Sequence, residues 1–243
     1  MALLIIDADT LLYQALNFAT EEVDFGDGEW SLQCDHTKAW KSFQYHLERV
    51  RNMVAHHDFI PCFTSDTNFR KGILPTYKAS RSNVRKPLGY KAFRAKVMAE
   101  MRCILKDGLE ADDCVGILGT KNSECVMWSD DKDLRQIPGR HVGSNGFEFT
   151  VTPEEGERFF LYQVLVGDQA DNYIGCPGIG PKKAESILSK SCTWDAVVNA
   201  YIKAGLTEED ALVQARVARI LRDGEFDTAT RKPILWSPNA NSL

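Results

Sequence analysis

Short apolar runs that end on carboxylates recur along this 243-residue chain and constrain its fold more than any other feature. Leu-Ile-Ile runs into Asp7, and Phe-Ile-Pro-Cys-Phe-Thr-Ser into Asp66. Cys-Val-Met-Trp-Ser-Asp leads to Asp131 and Asp133. Glu110, Asp112 and Asp113 sit in Glu-Ala-Asp-Asp, and Asp168 and Asp171 in Gly-Asp-Gln-Ala-Asp-Asn. A short, unbroken apolar run reads as a strand buried on both faces, the condition of a parallel sheet. Helical patterns lie between the runs, so an α/β fold is expected, a mostly parallel central sheet flanked by helices. Ligands bind such sheets beyond the carboxyl ends of the strands. The nine carboxylates named above are therefore expected at one edge.

Two like charges about 4 Å apart repel by about 1 kcal/mol in water and several-fold more in a partly buried site. Nine converging carboxylates hold together only with hard cations among them. Oxygen-only donors, without organised His or Cys, select Mg²⁺ or Mn²⁺. His36, His46, His56, His57 and His141 show no ligand spacing. Two ions roughly 4 Å apart would activate a water and stabilise the leaving oxygen of an in-line displacement, so no histidine base is needed. A lone Asp after a strand is ordinarily a helix cap. One helix start needs one cap, so Glu110, Asp112 and Asp113 together exceed that role. The pattern implies metal-dependent phosphodiester chemistry.

Charge distribution points the same way. The chain holds 34 acidic and 29 basic residues, net −5, yet without the nine clustered carboxylates 25 acids face those 29 bases. Residues 70 to 106 carry eleven Lys or Arg and one acid, Glu100. So lopsided an excess fits a polyanion better than a solvated, salt-bridged helix face. Within it, Lys78, Arg81 and Arg85 would share one face if the segment is helical. Tyr77 and Tyr90 would either stack on a base or pack into their own domain. Further along, Gly175-Cys-Pro-Gly-Ile-Gly-Pro-Lys-Lys-Ala184 places Gly178 and Gly180 before a helix, with Lys182 and Lys183 beside them. That is a helix-hairpin-helix signature, which brings backbone N–H groups and positive charge to a DNA phosphate. Seven cysteines without C-x-x-C spacing read as buried thiols, not as a disulfide framework or a zinc site. No run is long enough for a membrane span, and the N-terminal apolar run lacks the basic leader of a signal peptide.

Periodicity predicts a strand over 2–7, a helix from Thr10, a loop over 24–31 and a helix over about 36–56 capped by Asp35. A strand over 59–64, a helix over 89–106, a short helix over 111–119 and a strand over 124–129 follow. Ser144-Asn145-Gly146 suggests a hairpin, and Pro153 opens a helix at its first position. Short helices are expected from Gly175, and an irregular tail after Asp223.

In order, Asp7, Asp66, Tyr77-Lys78-x-x-Arg81, Glu110-Ala-Asp-Asp113, Asp131-Lys-Asp133, Gly167-Asp-x-x-Asp-Asn172 and Gly-x-Pro-Gly-Ile-Gly-Pro-Lys resemble the flap endonuclease/5′-nuclease superfamily. Cys34-Asp-His-Thr-Lys-Ala39, Lys86-Pro-Leu-Gly-Tyr90 and Ala218-Arg-Ile-Leu-Arg222 are similar to stand-alone 5′→3′ exonucleases of short-tailed bacteriophages. The resemblance implies a PIN-like nuclease core over 1–160, with a basic arch or clamp at about 68–95. It implies a helical region over 161–243, with the helix-hairpin-helix module at about 168–192. Two prolines, Pro75 and Pro87, leave a complete helical arch and a looser clamp both open.

By the same resemblance the chain would be a Mg²⁺-dependent 5′→3′ exodeoxyribonuclease that also removes RNA primers. Asp7, Asp66, Glu110, Asp112 and Asp113 would form the tighter metal site, and Asp131, Asp133, Asp168 and Asp171 the second. Lys78 and Arg81 would contact the scissile phosphate, with Arg70 at the base of their segment. Arg70, Tyr77, Arg85, Lys86, Gly178, Gly180, Lys182 and Lys183 would contact DNA, and the hairpin would hold K⁺. The implied partner is duplex DNA with 5′ ends or flaps, or an RNA–DNA hybrid, met by a monomer in the host cytoplasm and away from membranes. Competing readings are a structure-specific flap endonuclease, an RNA-directed nuclease of the same architecture, and a non-catalytic DNA-binding adaptor.

Overall fold

Leu4, Ile5 and Ile6 are fully buried in β1 (Ala2–Asp7), the strand from which the sheet is built outward. The computed structural model describes residues 2–81 and 83–238. After β1 come α1 (Asp9–Ala19), the hairpin β2 (Thr20–Gly26) and β3 (Glu29–Cys34), α2 (His36–Arg51) and β4 (His56–Cys62). The basic stretch holds the single turn α3 (Arg70–Ile73) and then α4 (Tyr90–Glu100). α5 (Ala111–Lys121), β5 (Cys125–Trp128), β6 (Gly139–Val142) and β7 (Glu148–Val151) complete the sheet half. Four helices close the chain: α6 (Pro153–Val166), α7 (Pro181–Lys190), α8 (Trp194–Lys203) and α9 (Glu208–Ala218).

The sheet runs β4-β1-β5-β6-β7, parallel except for the β6–β7 hairpin. Alternate residues of a strand point to opposite faces. Leu4 and Ile6 join Leu12, Phe43 and Phe93 from α1, α2 and α4, whereas Ile5 joins Val115 of α5 and Met127 of β5. Helices on both faces explain why β1 has no polar alternation. A separate apolar cluster unites Phe160, Leu161, Tyr201 and Ala215 of the helical half with Trp236. Among the described residues no helix is long and apolar enough to cross a membrane.

Several expectations change. The loop expected over 24–31 is a β-hairpin, because Asp27 and Gly28 both take positive φ, the two-residue turn that Asp-Gly favours. Its acids Glu21, Glu22, Asp24, Asp27 and Glu29 flank exposed Phe25 and Trp30. Asp35 caps α2 as expected, accepting the N–H groups of Thr37 and Lys38. That helix stops at Arg51, since His56 onward pairs with β1. α4 likewise stops at Glu100, because Ile104 pairs beside Cys62 through bonds from Ile104 N to Pro61 O and from Phe63 N to Ile104 O. The tail after Asp223 includes a two-residue bridge, Phe226–Asp227 with Lys232–Pro233. Between α3 and α4 the described residues form only a 3₁₀ turn, Ala79–Arg81, and Lys78 has φ 52°. Lys78, Arg81 and Arg85 therefore share no helix face among the described residues.

Candidate active site

Parallel strands β1, β4 and β5 end on one edge of the sheet, where they release Asp7, Asp66 and Asp131. α5 begins beside them and contributes Glu110 and Asp112. These five and Asp9 line one open cleft of about 600 Å³, with Lys78 and Arg81 on its wall. Asp9 belongs to the cleft although the strand-end reasoning passed over it. It lies in the first turn of α1, where an acid is unremarkable, and its signal was the Asp-Ala-Asp spacing with Asp7.

The electrostatics are those of crowded carboxylates. Burial, Asp9 and Asp131 push the Asp7 carboxyl up to about 7, and Ser129 Oγ donates to it at 3.0 Å. Burial, then Asp113 and Glu110, drives Asp112 well above the usual carboxylate range. Glu110 goes the other way. Its burial is outweighed by Lys78 and Arg70, which bring it down to about 2. Lys78 Nζ donates to Glu110 Oε1, and Tyr77 OH donates to Glu110 Oε2 at 2.9 Å. Asp66 is paired with Arg94 Nη2 at 3.0 Å.

Asp133, Asp168 and Asp171 lie on the helical side. Lys132 Nζ bridges Asp133 Oδ1 and Asp168 Oδ2, at 2.7 Å each. Asp171 receives Arg81 Nη2 at 2.8 Å and Tyr77 OH at 3.1 Å. The loop bearing Asp168 and Asp171 is closed by a tight approach of Gly167 to Gly175. Gly167 has φ 73°, and a Cβ there would stand 2.4 Å from the carbonyl carbon of Ile174. The same loop holds the basic segment in place: Lys78 N donates to Asp171 O, and Ser80 N and Oγ to Asn172 Oδ1.

Three sequence-based assignments need correction. Arg70 is no DNA contact: it is 1% exposed, with its guanidinium bound to Asp113 and to the carbonyls of Val217 and Arg219. Tyr77 is 3% exposed and cannot stack on a base; its ring is packed inward and its hydroxyl serves Glu110 and Asp171. Asp113 is fully buried, and its oxygens accept from Arg70 and from the N–H groups of Glu110 and Leu221, so it faces away from the cleft. Helix geometry thus uses two of the three acids at this start. Glu110 is the N-cap, and Asp113 returns the bond to its backbone.

Arg85 and Lys86 are exposed, and Lys86 lies on the cleft wall with its ammonium 4.6 Å from the Tyr90 ring centre. At the hairpin, Gly178, Gly180, Lys182 and Lys183 are all exposed, and no atom lies within 4 Å of a Cβ placed on either glycine. Lys183 Nζ donates to Gly178 O at 2.8 Å. Internal packing therefore does not account for either glycine.

Among the described residues no three His, Cys, Asp or Glu groups converge closely enough to hold an ion as they stand. Ammonium groups occupy that space instead, Lys78 on Glu110 and Lys132 between Asp133 and Asp168. Both mark where positive charge is required. An all-oxygen donor set with cations standing in fits a hard divalent ion.

Residues 2–154 match the family model for the 5′-3′ exonuclease N-terminal, resolvase-like domain. An exodeoxyribonuclease of Enterobacteria phage T3 is 29% identical, over 98% of this chain and 93% of its own. In fold, the T5 D15 protein co-crystallised with metal ions aligns over 89% of this chain and 88% of its own, at TM-score 0.64 and 16% identity. A T5 D15 flap endonuclease variant in a pseudo-enzyme–product complex with DNA and metal ions aligns over the same shares at TM-score 0.62 and 16% identity. With acids at the sheet edge, basic side chains beside them and a family match over most of its length, the chain belongs to the 5′–3′ exonuclease family.

Proposed function

We propose that the cleft acids hold magnesium or manganese and that the chain hydrolyses phosphodiester bonds from the 5′ ends of duplex DNA. The observation that carries this reading is the meeting of Asp7, Asp9, Asp66, Glu110, Asp112 and Asp131 in one cleft beneath Lys78 and Arg81. Asp7, Asp66, Glu110 and Asp112 would hold the first ion, joined by Asp131, which lines their cleft instead of sharing the second site expected for it, and Asp133, Asp168 and Asp171 would hold the second. The chemistry such ions supply when bound is activation of a water and neutralisation of charge developing on the phosphate.

The chain's own side chains do the rest. Arg81 is half-exposed and pairs with Asp171 through Nη2, which leaves the exposed part of its guanidinium to take a phosphoryl oxygen. Lys78 would add a second positive charge from Glu110. The hairpin around Gly178 and Gly180, with Lys182 and Lys183, would hold duplex phosphates without reading sequence. Such contacts extend the substrate range to RNA–DNA hybrids and so to RNA primers. The Gly178 carbonyl that Lys183 now engages is a candidate acceptor for K⁺.

Digestion of an end-labelled duplex with and without Mg²⁺ tests the reading. The wild type should release short 5′ products only with the ion, and Asp112→Asn should release none. Equal inertness of both would favour a DNA-binding adaptor. A 5′-flap substrate run in parallel separates the modes, since predominantly single cuts at the junction would favour a flap endonuclease. Lys78→Ala should slow the single-turnover rate by about 10²-fold or more while weakening binding far less, the pattern of transition-state stabilisation.

A further inference from the structure

We propose that Lys132 is a built-in counter-ion of the second carboxylate cluster, which a second divalent ion must displace before it can bind there. The proposal rests on the ion-binding role given above to Asp133 and Asp168.

Lys132 lies between two acids in sequence, and the local fold aims it away from the first. Asp131 Oδ1 accepts the Asp133 N–H at 2.8 Å, starting a 3₁₀ turn whose first residue is Lys132. From there its ammonium crosses to α6's end and donates to Asp133 Oδ1 and Asp168 Oδ2 at 2.7 Å each. The remaining bonds of those acids are neutral. Gln163 Nε2 donates to Asp133 Oδ1 at 2.8 Å, and the Ala170 N–H to Asp168 Oδ1 at 2.7 Å. Lys132 thus supplies the positive charge that directly bridges the pair.

Its position also makes it removable. The lysine side chain is 63% exposed, while those of Asp133 and Asp168 are 16% and 13% exposed. The cation therefore sits on the solvent side of its partners, on a flexible four-carbon stem with water to swing into. The first cluster differs. Lys78 and Arg94 pair with Glu110 and Asp66 there, but Asp7 accepts from the Ser129 hydroxyl and Asp112 from a backbone N–H, so an arriving ion meets two acids that no cation bridges. Ion loading should accordingly be sequential in DNA-free protein, the first cluster before the second.

Calorimetric titration of the full, DNA-free chain with Mn²⁺ reads this directly. The wild type should bind one ion tightly and a second weakly. Lys132→Met and Lys132→Gln should each tighten the second ion by about tenfold, the scale of 1.4 kcal/mol. Lys132→Arg, which keeps the charge, should leave the second ion weak. Second-ion affinities for Met and Gln variants equal to that of the wild type would overturn the role of Lys132 while leaving the metal reading intact. Absence of any Mn²⁺ binding in all four proteins would overturn the metal reading and this one with it.

Discussion

Arg70 lays its guanidinium across both oxygens of Asp113, Nη1 to Oδ2 and Nη2 to Oδ1, at 2.7 Å each. The two side chains are 2% and 0% exposed. Removing one partner of a buried pair leaves the other charge uncompensated, at a cost of about 3–5 kcal/mol. Arg70→Met should lose about that much stability by urea denaturation, and the folded fraction should bind DNA nearly as the wild type does. A large loss of affinity without loss of stability would return Arg70 to the DNA interface.

Gly167→Ala should deform the loop that carries Asp168 and Asp171. The new methyl would meet the backbone of Ile174 and Gly175 at a φ that L-residues rarely adopt. Strain of this kind costs about 1–3 kcal/mol. Thermal melting should show that loss, and single-turnover cleavage should slow as well. A variant with unaltered melting would show that the loop yields.

Asp7 gives a pH test. Burial, Asp9 and Asp131 raise its carboxyl from 3.8 to about 7, so the folded chain keeps a proton that the unfolded chain has already lost. Its contribution to stability is fully present below pH 3.8 and is lost as pH rises through about 7. In chelator, the wild type should melt lower at pH 8 than at pH 6, and Asp7→Asn should show a smaller drop. The same drop in both proteins would contradict the assignment.

The hairpin lysines predict salt dependence. Each phosphate contact contributes about 0.9 to the slope of log affinity against log salt. Lys182→Ala should weaken binding of blunt duplex and reduce that slope by about one, equally for unrelated sequences. An unchanged slope would place the hairpin off the DNA path.

What the sequence disclosed was what lies along the chain in one direction. Apolar runs ending on Asp7, Asp66 and Asp131 reported both the parallel strands and the edge they share, because burial and polarity are local properties. Side-chain direction is not local. Arg70 and Tyr77 sit in a basic, aromatic stretch that suits DNA, yet partners at 110, 113, 171 and 217–219 turn them inward. Asp113 resembles its neighbour Asp112, and only the fork of Arg70 and the Leu221 N–H separate their roles. Asp9 was masked by the ordinary place of an acid in a first helical turn.

The carbonyls of Val217 and Arg219 and the N–H of Leu221 have a consequence for timing. Through them, Arg70 and Asp113 are fastened to a stretch about a hundred residues downstream of Asp113. A nascent polypeptide has no such fastening until that stretch leaves the ribosome. The wall behind the acids is incomplete before that moment, so a translation product halted upstream of it lacks a finished blade.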